Sequence, residues 1–386
     1  MANTLTNLIP DLYEAIDVVS REMVGFIPAV TLSATAERAA LNENIRVPIT
    51  PAATAENVTP GQLPPDDGDQ NIGNNVILIS QARMVPFRWA GEEQKGVNNQ
   101  APNGGYAAIR QNQIQQAIRT LVNEVDANIG TLYSTASRAE GTAGTTPFAT
   151  GLGDTAQMRK ILADNGAPLS DMQCVIDTTA GANLRSLTQL TKANEAGTIE
   201  LRAQGKLLEL HGFTLRESAG VSESVPVGSV TGAVTASGAK GATSVTLTTP
   251  AGGAVALLAG DVITFAGDPN KYVVAAAANI GASTSGAVTI GAPGLRTTIN
   301  TAAVTVLGPA TRNMAFARSA IVLATRLPAL PEEGDMAEDR TIIVDPRSGI
   351  AFEFAMYKQY RRVRYEVAIA YGWANIKTEH TGLMLG

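Results

Sequence analysis

The sequence predicts an α+β protein in which a large scaffold carries a small inserted all-β block. Three observations predict it. Between about residues 105 and 138, Ile114, Ile118, Leu121, Val125, Ile129 and Leu132 recur at steps of four and three, a single apolar stripe along one helix. Between Glu223 and Thr311 the chain turns to Ala, Gly, Thr, Ser and Val, and past Glu223 its only charged residues are Lys240, Asp261, Asp268, Lys271 and Arg296. Near the C-terminus Val363, Tyr365, Val367, Ile369, Tyr371 and Trp373 alternate with Arg362, Arg364, Glu366, Ala368 and Ala370, the period of a strand.

A chain of 386 residues has room for two or three domains. Apolar residues make up 45%, enough for a sizeable core. Charged residues make up 17%, below the usual share of about 25%, which fits a surface covered in the working state. The net charge of −6 gives no electrostatic footprint for nucleic acid. A single cysteine, Cys174, excludes an intramolecular disulfide and any Cys-based zinc cluster, and its apolar setting predicts an inert core thiol. Asp11, Glu14 and Asp17 stand where an export signal would be basic and then apolar. No apolar run approaches the roughly 18 residues that span a bilayer. Synthesis and retention in a cytoplasm are therefore expected.

In chain order, residues 1–33 read as an N-terminal arm, with Leu5, Leu8, Leu12, Ile16 and Val19 at helical spacing and Gly25 and Pro28 as its stop. Residues 34–103 read as one long two-stranded hairpin. Ile45, Val47 and Ile49 alternate on one side, Val76, Leu78, Val85, Phe87 and Trp89 on the other, around an acidic Pro-rich tip carrying Asp66, Asp67 and Asp69. Pro48 makes the first an edge strand. An isolated hairpin is marginal in water, so this one should lie across a neighbouring subunit. Residues 104–150 hold the long helix, of about 33 residues or roughly 50 Å. Residues 151–222 read as the first part of an α/β domain: helices over 156–165 and 179–190, a buried strand over 173–177, and strands around His211 and Gly212. The block over 223–311 shows strand runs at 244–248, 261–265, 272–275, 287–290 and 303–307, separated by Gly and Pro, as in a small barrel or sandwich. Residues 312–386 return to long elements: 315–325, helical or extended; strands at 341–344 and 350–357; then the alternating run.

No catalytic constellation emerges. Gly151-Leu-Gly153-Asp-Thr-Ala156 matches a dinucleotide fingerprint but follows a polar turn rather than a strand. Gly220-Val-Ser222-Glu-Ser224 lacks the last glycine of a nucleophile elbow. The two histidines, His211 in a strand-turn stretch and His380 near a C-terminus expected to fray, have no partner for a triad or a metal site. Asp66-Asp67-Gly68-Asp69 lacks the calcium-loop register, and a solvated loop tip is the simpler reading. Lys358, Arg361, Arg362 and Arg364 form a basic cluster without interleaved aromatic platforms, which favours protein contact over DNA. No enzyme activity, cofactor or metal is therefore expected.

The order of arm, hairpin, long helix, α/β domain and long closing strand resembles the Hong Kong 97-type major capsid fold of tailed bacteriophages. The stretches Met84-Val-Pro-Phe-Arg-Trp-Ala-Gly-Glu-Glu93, Arg312-Asn-Met-Ala-Phe-Ala-Arg318 and Leu323-Ala-Thr-Arg326, with the block that begins at Glu223, resemble the coat-protein family of short-tailed Salmonella phages, which carries an inserted β-barrel, the I-domain. In those terms the chain has an N-arm, an E-loop, a spine helix, a P-domain and an A-domain. The resemblance implies a major capsid protein of the virion, made in a host bacterial cytoplasm. It would form the hexamers and pentamers of an icosahedral shell around double-stranded DNA, touched only weakly and non-specifically. It implies a portal protein, room for a decoration protein, no membrane, and scaffolding from a separate chain because the arm starts near residue 4. Candidate subunit contacts are Asp66, Asp67, Asp69, Arg83, Arg88, Glu92 and Glu93 in the hairpin region, Asp268 and Lys271 in the block, and Arg361, Arg362 and Arg364 in the closing strand. A tail-tube or surface-layer subunit is the alternative.

Overall fold

The computed structural model describes residues 24–49, 60, 72–100, 105–191, 209–345 and 348–386. The predicted arm helix and the acidic tip with Asp66, Asp67 and Asp69 lie outside these residues. Strand β1 (Thr31–Ala39) follows a short 3-10 turn at Ile27–Ala29. β2 (Asn44–Ile49) and β3 (Gly73–Leu78) pair antiparallel, Asn44 opposite Leu78 and Ile49 opposite Gly73. β4 (Gln81–Ala90) leads into helices α1 (Gly91–Gln100) and α2 (Gly105–Gly130).

The hairpin is therefore shorter than the sequence suggests. The alternating run over 76–89 is two strands, and β4 joins the sheet of the closing strand. Gly372 of that strand makes the break possible: its missing Cβ leaves room for the carbonyl of Leu78 as the chain turns. α1 also falls within the segment assigned to the hairpin. Glu93 caps it by accepting from Ala90 N at 2.8 Å, and a polar, Gly-containing sequence with little apolar periodicity gave it no signal.

α2 has 26 residues, about 39 Å at 1.5 Å per residue, rather than about 33 residues. It ends where Gly130 meets the Gly220 carbonyl, 2.5 Å from where a Cβ would sit, and continues as a 3-10 turn, Thr131–Thr135. Its stripe faces the core as predicted. Leu121, Val125 and Ile129 are fully buried, and Ile114, Ile118 and Leu132 pack beside them. Each such side chain contributes about 1.5–3 kcal/mol.

Next come β5 (Arg138–Glu140), α3 (Gly153–Asp164), β6 (Met172–Ile176), α4 (Thr178–Ser186) and α5 (Thr188–Thr191). β7 (Glu209–Leu210) and β8 (Phe213–Glu217) flank His211 and Gly212, both at positive φ. β6 and β8 run parallel, the α/β arrangement expected. Cys174 is buried in β6, and burial pushes its thiol up to about 12.

The low-charge block folds as nine short strands: β9 (Ser229–Thr231), β10 (Thr235–Gly238), β11 (Ser244–Thr248), β12 (Ala254–Leu257), β13 (Val262–Phe265), β14 (Lys271–Val273), β15 (Ala278–Ile280), β16 (Ser285–Thr289) and β17 (Ile299–Val306). It has its own core, including Leu247, Leu257, Phe265, Tyr272 and Ile290. Its incoming and outgoing segments meet at a bridge between Val225 and Ala310. It is nonetheless sewn into the body. β14 pairs with β5, so a single 12-stranded sheet runs from the block through β5 into the α/β region.

β18 (Arg312–Ala317) and β19 (Ile321–Pro328) resolve the helical-or-extended stretch as extended. β20 (Ala337–Val344), β21 (Ala351–Gln359), β22 (Arg362–Asn375) and β23 (Thr381–Leu385) complete the chain. β22 reaches 14 residues because it serves two strands end to end on one side. Residues Arg362 to Ala368 pair with β21, and Ala370 to Asn375 with β19, while β4 lines the opposite side. The six-stranded sheet thus runs β1-β19-β22-β21-β20, with β4 on β22. The C-terminus does not fray. β23 is buried and paired to both β18 and β5, so His380, at its start, is 8% exposed.

Burial of His380 holds its imidazole below the usual value of 6.5, with Lys377 adding to the effect and Glu379 opposing it. A depressed folded value means the folded state binds fewer protons than the unfolded state. This contribution to stability is full above pH 6.5 and is lost as pH falls through the folded value. Acidifying the unassembled subunit from pH 7.5 to 5.5 should therefore lower its urea midpoint. His380→Gln should flatten that slope, and equal slopes in both proteins would count against the assignment.

Candidate assembly surfaces

Among the described residues no group of three or more His, Cys, Asp or Glu is placed to hold a metal ion. No described helix is long and apolar enough to cross a membrane. What the surface offers is strand edges, exposed apolar side chains and charges.

Around β2–β4, Val76, Leu78 and Met84 are exposed. Arg83 is tied to the long helix: its Nε donates to Glu124 Oε1 at 2.5 Å, and that bond holds its guanidinium above its ordinary value. Arg88 is half-buried and lies opposite Arg364 in the β4–β22 register. Glu93 is spent on capping α1, and Glu92 is exposed beside it. Behind them, Tyr365 stacks between Phe87 and Phe354, and its hydroxyl meets that of Tyr106 at 2.9 Å. This aromatic pillar fixes α1 and α2 on the sheet.

In the block, Asp268 is occupied within its own loop. It accepts from Asn270 N at 2.9 Å, Tyr272 OH at 2.7 Å and Thr297 OH at 2.9 Å, and these bonds hold its carboxyl below the usual range against the effect of burial. Lys271 Nζ donates to the Gly141 carbonyl at 2.5 Å. Lys271 thus fastens the block to the body, while Asp268 braces the block internally.

The third candidate group lies at one end of the six-stranded sheet. Gln359 pairs with Arg362, leaving Tyr360 and Arg361 at the apex of a two-residue turn. Tyr360 is 90% exposed. Arg364 is ion-paired to Glu366 on its own strand, and Lys358 Nζ lies 2.6 Å from Glu338. Arg361 and Arg362 are exposed and form no ion pair among the described residues.

Two buried acids that sequence reasoning missed organise the joints between these surfaces. Asp126 on α2 is 2% exposed. Its Oδ1 accepts from Phe26 N at 2.9 Å and Ile27 N at 3.0 Å. Its Oδ2 accepts from Gly25 N at 3.3 Å and from the Ser218 hydroxyl. Burial pushes its carboxyl above the usual range, and the hydrogen bonds pull it back. One carboxylate thus ties the base of the arm to the long helix and to the segment leading into the block. Asp261 Oδ2 accepts from Leu258 N at 2.7 Å and Gly228 N at 3.0 Å. Burial pushes the guanidinium of Arg312, which is 0% exposed, below its ordinary value, and the charge of Asp261 opposes that effect. None of the Arg312 guanidinium nitrogens has a hydrogen-bond partner among the described residues.

No protein-family model and no curated protein matches the sequence. Solved structures match along nearly the whole chain. The capsid of Cyanophage P-SCSP1u aligns with a TM-score of 0.51 at 12% identity, over 96% of this chain and 91% of that one. The capsid of a native GTA particle aligns at 0.49 and 10% identity, over 96% and 93%. A chain of Mycobacterium phage Che8 aligns at 0.48 and 12%, over 89% and 84%. The chain has the fold of phage capsid subunits, the Hong Kong 97-type. The particular structure that carries this assignment is that of the cyanophage capsid.

Proposed function

We propose that this chain is a major capsid protein that self-assembles into the icosahedral shell of a tailed bacteriophage. The observation that carries the reading is the end-to-end match to the cyanophage capsid, covering 96% of this chain and 91% of that one. The low charge fraction and the apolar residues exposed on β3 and β4 support it, since shell contacts would cover them. In this reading the protein is structural rather than catalytic, and its partner is chiefly itself, in hexamers and pentamers. A separate scaffolding protein, a portal and a decoration protein are further partners, with weak contact to packaged DNA and no membrane. It is made in the host cytoplasm and resides in the virion. Residues 223–311 are the I-domain of the coat family carrying that insertion, a reading supported by the block's own core and its adjoining ends. The charged residues of the hairpin region, Asp66, Asp67, Asp69, Arg83, Arg88, Glu92 and Glu93, and those of the closing strand meet neighbouring subunits.

Electron microscopy of the expressed protein, alone and with its scaffolding partner, tests the reading. Closed shells are expected, while tubes or sheets would favour the tail or surface-layer alternative and discrete oligomers would overturn assembly altogether. Some members of the capsid family this chain resembles lock shells with Lys–Asn isopeptide bonds near the hairpin, but no lysine stands between Met1 and Gln94. Purified shells boiled in denaturant should therefore run as monomer on a gel. A ladder of covalent multimers would refute this.

A further inference from the structure

We propose that the end of the six-stranded sheet carrying the Tyr360 turn is a contact between copies of this chain, in which one copy's acidic turn meets the next copy's basic turn. The inference rests on the assembly reading above and names what the closing-strand arginines of that reading meet. Two turns stand side by side at this end. The basic one carries Tyr360, Arg361 and Arg362. The acidic one is Pro331-Glu332-Glu333-Gly334, closed by Gly334 N donating to the Pro331 carbonyl at 3.0 Å, with Glu332 and Glu333 at its apex. Tyr357 OH donates to Asp335 at 2.8 Å, and Lys358 bridges to Glu338 at 2.6 Å, so the two turns are held together at one sheet end.

Three features set this end apart. First, the charges next to the sheet are already neutralised within the chain: Asp335 by Arg340, Lys358 by Glu338 and Arg364 by Glu366. Those at the two apices are not, since Glu332, Glu333, Arg361 and Arg362 are all exposed and form no ion pair among the described residues. Glu92 adjoins the basic turn, since Gly91 N donates to the Arg361 carbonyl at 3.3 Å. Second, Met336 at 85% and Tyr360 at 90% are the most exposed large apolar residues of the described chain, Met336 two residues past the acidic turn and Tyr360 in the basic one. Exposed apolar side chains set among charges are the anatomy of an interface. Third, Arg361 has φ +58°, in the left-handed region where Gly or Asn is favoured. Keeping an arginine there is locally unfavourable, and its guanidinium forms no ion pair among the described residues, which fits a side chain held for a neighbour. Acid on one flank and base on the other make the surface complementary to itself, which is why a second copy is the occupant.

Charge reversal tests it. Glu332→Lys with Glu333→Lys, or Arg361→Glu with Arg362→Glu, should raise the protein concentration needed for assembly by about tenfold or more, because like charges face each other across the contact. All four reversals together should restore assembly, since complementarity returns with opposite sign. Arg361→Asn should weaken assembly while leaving the melting temperature of the unassembled subunit unchanged or raised, because Asn tolerates the left-handed conformation. Circular dichroism and melting confirm folding of each variant. Shells that assemble normally with one side reversed would overturn the contact and leave the capsid reading standing. A combined variant that folds but fails to recover would also overturn it, placing a different partner on this surface. Wild-type oligomers short of a shell that still respond to reversal and rescue would keep the contact and sink the capsid reading.

Discussion

Asp126→Ala is expected to destabilise the unassembled subunit by about 3–5 kcal/mol, because it strands several buried donors at once. Gly25, Phe26 and Ile27 each direct a backbone N–H at this carboxylate, and the Ser218 hydroxyl donates to it as well. Ser218 in turn accepts from Gly220 N at 2.9 Å, so the loss spreads into the segment before the block. There is little space for water to replace the side chain: a Cβ on Gly220 would sit 2.9 Å from the Ala127 Cα, and one on Gly25 would sit 2.5 Å from the Glu217 carbonyl oxygen. The stability of a whole domain is only about 5–15 kcal/mol, so the change is a large fraction of it. Urea unfolding measures the cost, and amide exchange at residues 25–27 locates it. A midpoint equal to that of the wild type, with protection at those amides retained, would refute the assignment.

Asp261→Ala should cost a similar amount, about 3–5 kcal/mol, for a different reason. It removes the acceptor for Leu258 N and Gly228 N and also the charge that offsets buried Arg312. Gly228 lies on the segment entering the block, and Arg312 begins the strand that leaves it, so this pair stands at the joint. The two side chains form no direct ion pair and act on each other through space, so removing the acid alone leaves a buried guanidinium less compensated, whereas removing both charges is milder. Arg312→Met should therefore be close to neutral or stabilising, and Asp261→Ala combined with Arg312→Met should recover much of the loss. A double-mutant cycle reads the coupling directly. Additive effects within about 0.5 kcal/mol would show that Asp261 matters only as a turn cap.

Periodicity made much of the fold legible. The stripe from Ile114 to Leu132, the alternation from Val363 to Trp373 and the five strand runs in the low-charge block all report which face a regular element buries, and their burial follows the pattern. Elements without such a pattern were misread. α1 is polar and set by a cap and an aromatic pillar. The run over 76–89 shifts phase between Leu78 and Val85 without a glycine or proline to mark the break, because that break depends on Gly372, nearly three hundred residues away. His380 was expected near a loose end, but β18 and β5 enclose the strand that follows it.

The assembly surfaces divide in the same way. The sequence marks Arg361 and Arg362 as part of a basic cluster, and it marks Asp268 and Lys271 as charges in a nearly uncharged block. It does not show that Asp268 and Lys271 are occupied within the chain while Arg361 and Arg362 form no ion pair among the described residues, since that depends on which carbonyls and carboxylates the fold brings near. Asp126 carries no sequence signal, because an acid beside an apolar stripe reads as solvent-facing until tertiary packing covers it, and Asp261 stands out only as one of the few charges in the block.

By itself, then, the sequence determined the α+β class, the long helix, the β-rich block and the absence of a legible catalytic set, because these depend on local composition and on the period of buried side chains. The tertiary structure decided where the hairpin ends, how the block joins the body and which charges remain available to a neighbour. Those outcomes rest on contacts between residues far apart in the chain, where a single missing Cβ or one buried carboxylate settles the geometry.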